Sequence, residues 1–263
     1  MSDFHLDLSQ KTSPQPFRFT LRQLLAFLVA CSVGCFVLFC ILMPAIRSAS
    51  QADLRMRCNN NLKQISVALY TYCDVNGCFP PPFVTDSTGK PTHSWRRLIL
   101  PYLDSHPLGV VWPIDLDEAW DSPKNLAAAK RFVPPCYFCP AGNQAPGSGI
   151  TNYVMIVGEA TAAPSDRTVS PQDITAGTAR TIIVAEIADS DILWSEPRDL
   201  LFDQMSFRIN DDSKPSISSR HVYGAFVVFV DGHTEFLDNS LDPGRLKALL
   251  IRSANQRAEA PGE

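Results

Sequence analysis

Little in this chain points to chemistry. Its 263 residues contain no Gly-x-Ser-x-Gly turn, no glycine-rich loop followed by Lys-Ser or Lys-Thr, and no His-Glu-x-x-His. The nucleophile elbow, the phosphate cradle and the zinc-protease helix are therefore all missing. Clustered positive charge is missing too: 23 Lys and Arg are interspersed with 27 Asp and Glu, for a net charge of −4. That balance argues against a nucleic-acid partner, whose phosphates call for a basic face. The five histidines, His5, His93, His106, His221 and His233, are scattered and form no metal motif. The expectation is a protein that is not an enzyme and carries no cofactor.

Long apolar runs are absent except for one. Leu24 to Met43 is a stretch of 20 uncharged residues, which as a helix is about 30 Å long and spans the hydrocarbon core of a bilayer. A secretory signal would have a shorter apolar core ending in a small-x-small cleavage site, and Ser48-Ala49-Ser50, placed after Pro44 and Arg47, is a poor version of one. Lys11, Arg18 and Arg22 before the run balance Arg47, Arg55 and Arg57 after it, so flanking charge leaves the orientation undecided.

Glycine and proline are absent from Ala45 to Tyr72, where Leu54, Cys58, Leu62, Ile65, Leu69 and Cys73 recur at three- and four-residue steps. This is a single apolar stripe on a helix whose other faces carry Arg47, Asp53, Arg55, Arg57 and Lys63. The organisation read from the chain is a tail over 1–20, a transmembrane helix over 21–44, an amphipathic continuation over 45–75, a β-rich head over 76–251 and a disordered tail over 252–263.

Phe19-Thr20-Leu21 before an apolar helix, Arg57 to Ile65 around Cys58-Asn59-Asn60-Asn61, and Gly77-Cys78-Phe79-Pro80-Pro81 resemble motifs of the bacterial pilin-like family catalogued as domain of unknown function 1559. Phe138-Cys139-Pro140, Asn152-Tyr153-Val154, Trp194 to Pro197, and His221 followed by Asp231-Gly232 in H-x9-D-G spacing extend the resemblance over about residues 18–240. It implies an α+β protein: a long N-terminal transmembrane and amphipathic helix packed on a β-rich antiparallel head. It also implies a single pass through the inner membrane, with the N-terminus cytoplasmic and the head periplasmic or otherwise extracytoplasmic. Its partners would be the lipid bilayer and other pilin-like or secretion-system proteins.

Two departures bear on processing. Arg18 stands where the family pattern has Gly, and Gln23 where it has Glu. Phe19, Thr20 and Leu21 would carry any residual recognition by a prepilin peptidase. Arg18 puts charge at the cut, and Gln23 lacks the carboxylate that pilins pair with a neighbour's N-terminal amine. Asn60, Leu62 and Gln64 are expected to join helix to head.

Within the head, Ser94 to Leu100 and Pro123 to Phe132 read as short helices capped by Ser94 and Ser122. Asn152–Val157, Thr181–Ile187 and Ala225–Val230 read as strands, and Ala160–Gly177 as a long surface loop. Asp231-Gly232 lies between two apolar β runs and predicts a tight hairpin turn. An extended segment from 221 to 231 would put His221 roughly 33 Å from Asp231. The two residues are therefore read separately, His221 as a capping or packing residue. Leu246, Leu249 and Leu250 predict a last helix covering the sheet.

Five cysteines lie outside the apolar run: Cys58, Cys73, Cys78, Cys136 and Cys139. Cys136-x-x-Cys139 lacks a second ligand pair for zinc and is bracketed by prolines, which favours a disulfide from one of these cysteines to Cys58 or another partner. Asp189, Asp191 and Glu196 lie in an acidic stretch with Glu186 and Asp199. They are weak calcium candidates, since the spacing fits no EF-hand, and Glu186 has the alternative reading of a strand end satisfying backbone groups. Two functions are expected: the one the resemblance implies, a membrane-anchored pilin- or pseudopilin-like structural or interaction protein of type II secretion or surface assembly, or alternatively a tethered module binding a glycan, peptide or calcium.

Overall fold

The computed structural model describes residues 20–103, 114–145 and 147–258. The first helix, α1, runs from Leu21 to Asn76. Two compact units divide within it, Met1–Ala49 and Ser50–Glu263. In the first, Leu24, Leu25, Phe27, Leu28, Phe36 and Ile41 are all exposed, and the helix is long and apolar enough to cross a membrane. The one hydroxyl in the run is satisfied inside the helix, Ser32 Oγ donating to the Val29 carbonyl at 2.8 Å.

The helix start has a clear local cause. The Thr20 backbone N–H and hydroxyl both donate to Gln23 Oε1, at 3.0 and 3.1 Å, and the Gln23 N–H returns a 3.4 Å bond to Thr20 Oγ1. This is a capping box in the Thr-x-x-Gln form. Gln23 therefore fills a structural role that the loss of a carboxylate had hidden. Arg18 and Phe19 lie outside the described residues.

The second unit is α+β. A two-stranded ribbon pairs β1 (Phe83–Thr85) with β2 (Pro91–Ser94). Short helices follow: α2 (Trp95–Leu98), capped by the Ser94 side chain, and α3 (Pro123–Arg131), capped by Ser122 with Pro123 in its first turn. Both caps are as expected. The main sheet uses β3 (Tyr153–Val157), β4 (Ile182–Glu186), β5 (Leu200–Leu201), β6 (Gly224–Phe229) and β7 (Thr234–Asp238), in the order β5-β3-β4-β6-β7. Its pairs are antiparallel except β3–β5, an edge pair that runs parallel.

Both faces of this sheet are covered, which explains why β3 and β6 are buried at every position and do not alternate with polar residues. Tyr153, Met155, Phe226 and Val228 join Cys58, Leu62, Ile65 and Leu69 of α1 in one core. Val154, Ile156, Val227 and Phe229 face Leu246 and Leu250 of α4 (Pro243–Leu250) in the other. A register shift between Ile182 and Val184 in β4 puts both Ile183 and Val184 into the α1-side core.

Two expectations are corrected and a third is refined. Residues 160–177 are not simply a surface loop: Thr161, Ala162, Ala163, Val169 and Ile174 are buried, because the segment crosses the edge of the α1-side core. The disordered tail expected over 252–263 is ordered as α5 (Ala254–Ala258), while 259–263 lie outside the described residues. Arg257 fixes it, donating to the carbonyls of Ala248, Ala176, Arg180 and Ile251. Asp231 and Gly232 do lie in the tight turn between β6 and β7, which holds three residues, Val230 to Gly232. Gly232 N–H bonds the Phe229 carbonyl at 2.9 Å, and among these residues only Gly232 has positive φ, +92°. Val230 and Asp231 form the corner and Gly232 follows as a left-handed residue.

Candidate functional site

Four side chains from four separate places in the chain converge beneath the helix. Cys58 of α1 is disulfide-bonded to Cys139, 81 residues away, with Cα atoms 5.4 Å apart. Cys139 follows the Pro135–Tyr137 turn and is held by a bond from its N–H to Asn152 Oδ1 at 2.9 Å. His221, just before β6, brings Nε2 to 3.6 Å from Cys139 Sγ. The same Nε2 is 3.6 Å from Oε1 of Glu186, the last residue of β4.

All four are buried: Cys58 at 0 %, Cys139 at 4 %, Glu186 at 1 % and His221 at 3 % exposure. Glu186 Oε2 accepts the Phe226 N–H at 2.8 Å, as a strand-end carboxylate can. Its Oε1 has no hydrogen-bond donor, and His221 Nδ1 has no partner among the described residues. The imidazole is wedged edge-on between the rings of Phe226 and Phe236. Thus the disulfide expectation holds, and its partner is Cys58. Cys136 and Cys73 are buried elsewhere in the same core, where burial pushes the Cys73 thiol up, and Cys78 is half-buried.

His221 and Asp231-Gly232 meet different partners, as their separate reading implied. Asp231 Oδ1 takes the His233 N–H at 3.1 Å and lies 2.5 Å from the His233 ring Nδ1. Gly232 lies against α1: its carbonyl accepts from Ser66 Oγ at 2.8 Å, and Tyr70 donates to the neighbouring Val230 carbonyl. One end of the spaced motif thus sits at the level of Cys58 and the other at Ser66 and Tyr70, about 12–18 Å along the helix.

Of the residues expected at the junction of helix and head, Leu62 lies in the shared core, while the polar links are made beside Asn60 and Gln64. Asn60 is exposed and Gln64 half-buried, while Leu62 is fully buried. The polar links come from Asn59, whose Oδ1 accepts from Thr234 Oγ1 at 2.5 Å, and Asn61, whose Nδ2 donates to the Phe138 carbonyl at 2.7 Å. Helical spacing carries the signal for Asn61: it lies three residues after Cys58 and four before Ile65, on the edge of the apolar stripe.

The acidic stretch separates into exposed and buried members. Asp189 pairs with Arg220, while Asp191 and Glu196 both pair with Arg198. Asp199 is buried instead, 2.6 Å from the fully buried Arg96, and its Oδ1 also accepts from Trp95 Nε1 and Met155 N–H. Burial pushes its carboxyl up to about 6, against the pull of Arg96 and these donors. Arg96, which also donates to the Tyr153 carbonyl and Ser94 Oγ, was not singled out in the sequence, where nothing distinguishes it from a surface arginine.

Residues 47–200, which carry Cys58, Cys139 and Glu186, match the family described as a protein of unknown function (DUF1559). The chain belongs to the DUF1559 family. No curated protein and no solved structure matches it. The DUF1559 match begins inside α1 and stops at β5, so the apolar run, His221 and the β6–β7 hairpin lie outside it.

Proposed function

We propose that this DUF1559 protein is a membrane-anchored subunit of a pilin- or pseudopilin-like assembly and works through protein contacts, not catalysis. In this reading its N-terminus is cytoplasmic and residues 76–251 form a head outside the inner membrane. The observation that carries it is the division of labour along α1. Its first unit offers exposed apolar side chains suited to lipid or to other apolar helices, and its second is stapled into the head core through Cys58. The candidate binding loops give less support to a ligand-capturing module, since Ala162, Val169 and Ile174 turn inward and Asp189, Asp191 and Glu196 are engaged by arginines.

A photo-crosslinking residue at Phe36, 67 % exposed, tests the assembly. Adducts to a second copy or to another single-span protein are expected in native membranes, and adducts to lipid alone would refute the reading. For topology, Ser87→Cys in the exposed β1–β2 turn should react with a membrane-impermeant maleimide in spheroplasts without lysis.

A further inference from the structure

The disulfide alone does not account for the groups packed around it. A disulfide is neutral and needs no charged neighbour, yet Glu186 directs an oxygen with no donor towards His221 Nε2, which in turn faces Cys139 Sγ. Burying a carboxylate oxygen without a hydrogen bond is costly unless something else satisfies it. The ligand atoms of Cys58, Cys139, Glu186 and His221 all lie within 4.8 Å of one another.

We propose that, when its disulfide is reduced, this cluster is a zinc site: the same four side chains hold either a sulfur–sulfur bond or one Zn²⁺. The donor set, two sulfurs, one imidazole nitrogen and one carboxylate oxygen, is one that zinc accepts in tetrahedral geometry. With zinc–ligand bonds of about 2.0–2.3 Å, neighbouring ligand atoms stand about 3.3–3.8 Å apart. The Cys139 Sγ to His221 Nε2 and His221 Nε2 to Glu186 Oε1 distances, both 3.6 Å, already match such edges. The two sulfurs must part, and the remaining pairs, all within 4.8 Å, must settle to edges of that length. The ligands are fixed by α1, by the Asn152-anchored loop, by the end of β4 and by the approach to β6, so most of the site is preorganised in the oxidised protein.

The interconversion balances. A dithiol reductant gives two electrons and two protons to the Cys58–Cys139 bond and is itself oxidised to a disulfide, leaving two thiols. Zinc then binds both sulfurs as thiolates, and the two thiol protons pass to solvent. A small cavity lined by Cys139, Asn152, Glu186, Ala188, Ser219 and Arg220 borders the cluster, and no residue of α1 lines it.

The test uses the full-length chain in detergent, oxidised or reduced with a dithiol that is then removed, and titrated with zinc chloride or cobalt chloride. The reduced protein is expected to take up one metal per chain, with cobalt giving the d–d bands of a tetrahedral site and thiolate-to-metal charge transfer. The oxidised protein should take up none. Glu186→Gln and His221→Gln should each weaken zinc binding at least tenfold, Cys58→Ser should abolish the charge-transfer band of a two-thiolate site, and Cys73→Ser should change nothing. Equal uptake by the oxidised protein, or undiminished affinity in both Glu186→Gln and Cys58→Ser, would overturn the proposal. So would a reduced chain that keeps its circular dichroism and binds no zinc, or one that unfolds and is not refolded by zinc.

Discussion

The Ser66 hydroxyl of α1 donates a 2.8 Å hydrogen bond to the carbonyl of Gly232, the residue that closes the β6–β7 hairpin. A Cβ on Gly232 would stand 3.0 Å from that hydroxyl and 3.1 Å from the Tyr70 ring. The turn is thus both left-handed and in close contact with the helix, two conditions that only glycine meets together.

Gly232→Ala should therefore destabilise the fold by about 2 kcal/mol or more, combining left-handed strain with displacement of Ser66 and Tyr70. Gly177→Ala, at φ +97° with open space around it, carries the strain alone. Denaturant titration of the two full-length variants should show the larger shift for Gly232; equal shifts would mean that the contact with α1 contributes nothing.

Asn61→Ala should cost about 1–3 kcal/mol, since it leaves the Phe138 carbonyl without its side-chain donor and removes the amide that also reaches the Tyr153 hydroxyl. Asn60→Ala, on the exposed face, should stay within about 0.5 kcal/mol of the parent. Thermal melts of the pair distinguish a side-chain junction from a merely asparagine-rich helix surface.

Cys58→Ser removes a cross-link closing a long loop, and the loss should be about 2–5 kcal/mol under non-reducing conditions. In the presence of a reductant the variant and the parent should converge, provided that zinc is absent. A persistent gap would mean that the serine itself disturbs the core.

Hydroxyls and the backbone of the 206–216 loop set one acid limit. Bonds from Ser206 and Ser213 hold the Asp211 carboxyl down at about 2, below an unfolded value of about 3.9. The stability that Asp211 contributes is present above about pH 3.9 and is lost as pH falls towards 2. Asp211→Asn should flatten that part of the stability curve relative to the parent, and an unchanged slope would show that the bonds do not persist in solution.

Periodic and local features could be read from the chain. The stripe from Cys58 to Cys73 marks the buried face of α1 because helical spacing maps directly onto one side of a cylinder. Ser94 and Ser122 mark helix starts because capping acts within three residues. The pairing of Arg96 with Asp199 is not legible for the opposite reason: it spans 103 residues, and a buried arginine looks like any other in sequence.

What the sequence determined by itself, then, is the apolar segment, the amphipathic stripe, the strands β3, β4, β6 and β7 and the turn at Gly232, all consequences of residue spacing and backbone preference. The tertiary structure alone decided that Cys139 bonds Cys58, that Asn59 and Asn61 rather than Asn60 tie the helix to the head, and that His221 Nε2 lies 3.6 Å from both Glu186 and a disulfide sulfur. Those outcomes depend on sheet register and on how α1 is seated over it, which bring together residues distant in the chain, 81 positions apart for the disulfide and 175 for Asn59 and Thr234, through packing that no local pattern encodes.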